Sequence, residues 1–202
     1  MDERVFRIAL TLDEIDLIKK CIDDHDQIAL QEAMKFFELD DSDLEKLLNE
    51  PFNPKTIAGG KPFPESRFSN GDYAVFYSAQ EQETAGEEYA HTAPTYVPES
   101  MRAVELRLHL ITCRFSGIVK DMRPLSDAFP GLTADAHDFC RELGREAVAQ
   151  DQDGLFSRSV RHKGGTSVPV FKRRCLSEPQ NSGVVICSID AVTKTATCTI
   201  TT

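Results

Sequence analysis

Val104-Glu105-Leu106-Arg107-Leu108-His109-Leu110 alternates apolar and polar side chains without a break. A period of two belongs to a strand, because successive side chains there point to opposite faces of a sheet. The stretch therefore predicts a strand with one buried and one wet face. Working outward, Tyr73 to Ser78 predicts a short apolar and aromatic strand. Glu81 to His91 predicts a helix with Thr84, Ala85, Glu88 and His91 on one side. Further on, Gly117 to Lys120 reads as the return strand of a hairpin. Thr133 to Gln150 reads as an amphipathic helix buried through Ala136, Phe139, Cys140, Leu143 and Val148. Ser167 to Phe171, Val184 to Ile189 and Ala196 to Thr202 are three more strand candidates. Roughly seven strands and four or five helices, not in βαβ order, favour an α+β fold over a doubly wound sheet.

The chain opens on an extended piece, Val5 to Leu10, and then Thr11-Leu12-Asp13-Glu14, which has the layout of a capping box. Leu12, Ile15, Ile18, Cys21 and Ile22 follow at helical spacing. Ile28, Leu30, Ala33, Met34 and Phe37 make a second apolar face, and Leu44, Leu47 and Leu48 a third. Residues 1–55 hold 7 Lys and Arg against 15 Asp and Glu. Solvated outer faces of helices account for that acid without any partner. From Pro51 to Gly71, four prolines and three glycines end the helical stretch in loop chemistry.

Over 202 residues the chain has 23 Lys plus Arg, 33 Asp plus Glu and a net charge of −10. That length predicts one domain, residues 1–202, with an acidic helical segment, 11–50, set between the first strand and a core over 60–190. The net charge argues against nucleic-acid or anionic-membrane binding, which reward Lys and Arg. No run approaches the roughly 20 apolar residues of a membrane span, and the N-terminus lacks a signal-peptide layout. The expectation is a soluble, cytoplasmic protein. Cys21, Cys113, Cys140, Cys175, Cys187 and Cys198 form no C-x-x-C pair and read as buried free thiols. The histidines (His25, His91, His109, His137, His162) are scattered, so no metal site is expected.

Two constellations carry possible chemistry. Arg158, Arg161, Lys163, Lys172, Arg173 and Arg174 fall in one window with no Asp or Glu, around Gly164-Gly165. Such a window makes either an anion pocket, with guanidinium groups forked onto phosphate, or a basic edge strand offsetting the acidic helices. Ser159 within it offers a hydroxyl for a phosphate or ribose, but no G-x-S-x-G elbow surrounds it. G-x-G-x-x-G and Walker loops are absent from the sequence. In the second constellation, Arg67 closes the Pro-rich loop, Tyr77 ends a strand and Glu88 lies in the following helix. An arginine for phosphate, an aromatic ring for a flat heterocycle and a carboxylate for an oxocarbenium-like cation suit a nucleotide N-glycosidic bond. A bland surface reading of the three residues stands beside it.

Ser66-Arg67-Phe68-Ser69-Asn70-Gly71, Val75-Phe76-Tyr77-Ser78-Ala79 and Glu83-Thr84-Ala85 with Glu88 resemble the RES-domain family, the toxin half of RES–Xre toxin–antitoxin modules. The likeness continues in Ser159-Val160-Arg161-His162-Lys163-Gly164-Gly165 and Val168-Pro169-Val170-Phe171. It implies an α+β fold related to ADP-ribosyltransferases, with mixed or antiparallel sheets and flanking helices. The implied activity is degradation of NAD+ at the nicotinamide–ribose bond, by phosphorolysis or hydrolysis. NAD+ would be substrate, inorganic phosphate a co-substrate, and no cofactor is expected. The family's arginine, tyrosine and glutamate fall on Arg67, Tyr77 and Glu88 as catalytic residues. Ser159, with Arg161, and Arg7 in a first strand similar to the family's, would bind substrate. An Xre-type helix-turn-helix antitoxin is the implied partner, and the toxin would act in its own cytoplasm or be delivered without a cleavable signal. The alternatives are a RES-like protein that binds a nucleotide or partner without turnover, and a protein ADP-ribosyltransferase. Arg158 stands where the motif serine often follows a proline.

Overall fold

The computed structural model describes residues 1–10, 12–24, 28, 39–55 and 60–201. Eight strands form one sheet: β1 (Asp2–Ala9), β2 (Phe76–Ala79), β3 (Ala103–Ser116), β4 (Val119–Asp121), β5 (Gly154–Arg158), β6 (Thr166–Val170), β7 (Leu176–Asp190) and β8 (Thr195–Thr201). Their order is β4-β5-β6-β2-β1-β3-β7-β8. Each neighbouring pair is antiparallel apart from β4 and β5, which are parallel. Four α-helices lie among the described residues: α1 (Leu12–Asp23), α2 (Asp41–Asn49), α3 (Gln82–Thr92) and α4 (Asp138–Ala149). The fold is α+β.

Apolar residues of the sheet are buried on both faces. On one face, Leu44 and Leu47 of α2 pack with Ala9 and Ile111, and Leu48 packs with Val5, Phe76 and Phe115. On the other, Ala85 of α3 joins Ile8, Leu108, Leu110, Val185 and Cys187. Cys140, Leu143 and Ala147 of α4 close over Phe68, Leu155 and Phe171. Asp40 caps α2, accepting from the Asp43 amide at 2.8 Å while Asp43 reaches back to the Asp40 amide. The Thr11 cap and Leu30, Ala33, Met34 and Phe37 lie outside the described residues, as do the side chains of Leu12 and Ile22.

Several expectations need correction. The Gly117 to Lys120 stretch is no hairpin return: β1 and β7 occupy both edges of β3, so β4 pairs with β5 instead. Asp153 fixes it there, accepting from the Ile118 amide while its own amide donates to Ile118 O, both at 2.8 Å. Helix α4 starts at Asp138 rather than Thr133, since the Ala134 carbonyl accepts from Arg67 instead of a helical amide. Ala136 is exposed, and Phe139 stacks on Phe129 at the surface, with ring centroids 6.0 Å apart. His109, expected on a wet face, is buried against Glu14 of α1 (Nε2–Oε1 2.7 Å). Strand β5 was not anticipated because Leu155 and Phe156 are both fully buried, on opposite faces, leaving no alternation to read. Strand β7 runs well beyond Val184 to Ile189, with irregularities in its pairing with β3.

Candidate functional site

Helix α3 supplies the first half of the site. Thr84 and Glu88 are four residues apart, one above the other on the same helical face. The turn between β5 and β6, residues 159–165, lies along that face. It is braced internally: the Ser159 amide donates to Gly165 O (2.8 Å) and the Gly165 amide to His162 O (3.0 Å). Ser159 Oγ accepts from the amides of Arg161 (3.1 Å) and His162 (3.0 Å). Two side-chain rungs tie the turn to the helix. Ser159 Oγ donates to Glu88 Oε1 at 2.6 Å, and Thr84 Oγ1 meets His162 Nδ1 at 2.8 Å. Ser167 on β6 adds a second hydroxyl to Glu88 Oε1 at 3.1 Å. A side chain at Gly165 would put its Cβ 2.2 Å from Thr84 Oγ1, so the close seating requires glycine.

The second half gathers around the loop before β2. The Tyr77 phenol accepts from the Phe68 amide (2.9 Å) and donates to Ser66 Oγ (2.8 Å), bracketing Arg67. Burial pushes this phenol up to about 12, so it stays neutral. Arg67 donates to Ala134 O at 2.9 Å and approaches Cys140 Sγ at 3.8 Å. Arg161 pairs with Asp135 at 3.3 Å. The two motif arginines, 94 positions apart in the chain, thus converge on consecutive residues, Ala134 and Asp135. Arg141 of α4 donates to Ser66 O at 3.0 Å. His137 is held below its usual value by burial and by the charges of Arg67, Arg141 and Arg161. Arg141 also pairs with Glu65 at 3.3 Å, so three guanidinium groups against two carboxylates leave this corner an excess of positive charge that can receive an anion.

Of the residues singled out from sequence, Glu88, Ser159 and Arg161 meet directly through the 159–165 turn. Tyr77 of β2 braces the neighbouring loop that carries Arg67, and Arg67 bonds to Ala134 rather than to Glu88. Arg7 sits apart: its guanidinium lies 4.7 Å over the Phe76 ring, on the α2 face, and Nη1 donates to Tyr77 O at 3.4 Å. Its Nε is buried without a partner, and burial holds its pKa below the ordinary value. Most of the remaining basic window is ion-paired elsewhere: Arg158 with Asp127, Lys172 with Asp151 and Asp153, Arg174 with Asp153. Arg173 reaches Glu45 of α2 at 2.6 Å, which is the basic edge offsetting the acidic helices.

Sequence reasoning missed Ser167, His162, Arg141 and His137. The four-residue spacing of Thr84 and Glu88 was a usable signal for the helical face, whereas Arg141 and His137 looked like any solvated helix residues. Among the described residues no group of three His, Cys, Asp or Glu is placed to hold a metal ion. No helix among them is long and apolar enough to cross a membrane. A family model described as the RES domain matches residues 36–190, more than half of the chain. The chain matches no curated protein.

Proposed function

Since the chain belongs to the RES-domain family, we propose that it is a toxin that degrades NAD+ by cleaving the nicotinamide–ribose bond. The RES domain is known in toxin–antitoxin modules with NAD+-related activity. The observation that carries the reading is Glu88, whose Oε1 accepts two serine hydroxyls. Two hydroxyl donors hold the Glu88 carboxyl in place, and a carboxyl group so held suits a sugar carbon that turns cationic as its bond to nitrogen lengthens.

In this proposal Arg67, Arg161 and Arg141 bind the pyrophosphate, and Ser159 orients Glu88. With its hydroxyl engaged by Phe68 and Ser66, Tyr77 offers its ring to the nicotinamide. The C–N bond breaks, its electron pair leaves with neutral nicotinamide, and phosphate or water takes the sugar carbon. No cofactor is required. An Xre-type antitoxin and a cytoplasmic site of action complete the proposal, with residues 60–190 as the catalytic core of a single RES-type unit. The test is Glu88→Ala: the variant should keep its far-ultraviolet circular dichroism and lose NAD+ consumption. A variant that consumes NAD+ at the wild-type rate would remove Glu88 from the chemistry.

A further inference from the structure

His162 belongs to none of the roles above, and its surroundings fix its protonation pattern. Thr84 has one hydroxyl hydrogen, directed at Glu81 Oε2 at 2.7 Å. The same carboxylate oxygen accepts the Thr166 amide at 2.9 Å, which anchors it to β6. Having given its hydrogen to Glu81, Thr84 Oγ1 acts as acceptor in its 2.8 Å contact with His162 Nδ1. Nδ1 therefore carries a proton, and in the neutral ring Nε2 is the basic nitrogen. The ring is partly exposed, and Nε2 has no hydrogen-bond partner among the described residues. Glu81, Thr84 and His162 form a relay whose outer end is a free basic nitrogen.

The relay stands beside Glu88. Thr84 and Glu88 are one helical turn apart, about 6 Å along α3, and His162 and Ser159 are the two rungs at those levels. His162 thus joins the same helical face as Glu88, one turn along from it. We propose that His162 is the general base that activates water for attack on the sugar carbon. Nε2 takes a proton from water as the oxygen–carbon bond forms, the carbon–nitrogen bond breaks, and its electron pair leaves on nicotinamide. The proton then passes to solvent. The charged groups near the ring are Glu81 and Glu88 on the α3 side and Arg161 and Lys163 on its own turn. The assignment rests on the NAD+-cleavage reading.

The test is nicotinamide release by the full chain in phosphate-free buffer between about pH 5 and 9, together with 15N NMR of the His162 ring. The wild type should lose rate toward acid as Nε2 protonates, and its ring should carry the proton on Nδ1. His162→Gln should release nicotinamide at least about 100-fold more slowly and lose the acid limb. Thr84→Val, which frees the tautomer, should lower kcat, leave KM and shift the limb. If His162→Gln keeps the wild-type rate and limb while Glu88→Ala is inert, the base assignment falls and NAD+ cleavage stands. If the wild type releases no nicotinamide, both fall. A neutral ring protonated on Nε2 overturns the assignment whatever the activities, including the case in which His162→Gln fails to fold.

Discussion

Ser159 donates its hydroxyl hydrogen to Glu88 Oε1 at 2.6 Å across 71 positions of sequence. That contact joins the α3 motif block to the turn between β5 and β6. It also completes a ring of bonds in which Ser159 accepts from the Arg161 and His162 amides. Ser159→Ala removes all three. A hydrogen bond to a charged group contributes about 1.5–3 kcal/mol to stability, so urea unfolding should show a loss of that order, and nicotinamide release should fall because Glu88 loses the hydroxyl that orients it, while the far-ultraviolet spectrum stays unchanged.

Gly165→Ala should be worse for stability than its size implies. The added methyl meets Thr84 Oγ1 at 2.2 Å and His162 Nδ1 at 2.8 Å. Overpacking of this kind costs about 1–3 kcal/mol. Urea unfolding should show that loss, and adding Thr84→Ala should recover part of it, because the two sites are in contact and their effects do not add.

Tyr77→Phe leaves the Phe68 amide and the Ser66 hydroxyl without their phenol partner. The expected loss is about 1–3 kcal/mol in urea unfolding, with a raised KM for NAD+ because the Arg67 loop loses its anchor.

How much of this was legible differs by element. Strand β3 was legible because one of its faces alternates cleanly from Val104 to Leu110. Strand β5 was opaque for the opposite reason: with Leu155 and Phe156 buried on either face, no polar face marked it. The early start assigned to α4 reflects Ala134, whose carbonyl serves Arg67, a partner 67 positions away that no local pattern reports. Arg67, Tyr77, Glu88 and Ser159 were named through a family resemblance, and the packing of the 159–165 turn on α3 explains the proximity of the last two. Nothing in the spacing of Arg67 and Arg161 announced that both would reach the Ala134–Asp135 turn.

Asp153 gives a pH prediction. Burial pushes its carboxyl up, but the Ile118 amide and the Lys172 ammonium at 3.0 Å more than offset this, and its pKa lies below the ordinary 3.8. A depressed carboxyl stabilises the fold above its unfolded pKa, and that contribution is lost as pH falls through the folded value. Asp153→Asn should therefore be about 1–3 kcal/mol less stable at neutral pH. The gap to wild type should close below pH 3.8, read from urea midpoints across an acid series.

The thiols should differ in reactivity. Cys113, Cys140 and Cys175 are buried, and burial raises each of them, Cys113 to about 12. Cys198 is half-buried, and a hydrogen bond from Cys187, directly opposite on β7, lowers its pKa. Since the thiolate is the nucleophile, native alkylation followed by peptide mass spectrometry should label Cys198 first among these residues.

The central claim is cleavage of the nicotinamide–ribose bond, and proton NMR of NAD+ mixed with the purified chain tests it most directly, with and without inorganic phosphate. The account predicts free nicotinamide appearing with loss of NAD+, accompanied by ADP-ribose in the phosphate-free tube or its 1″-phosphate where phosphate is the acceptor, and no such change with Glu88→Ala. NAD+ that stays intact in both tubes with the folded wild-type chain would contradict it.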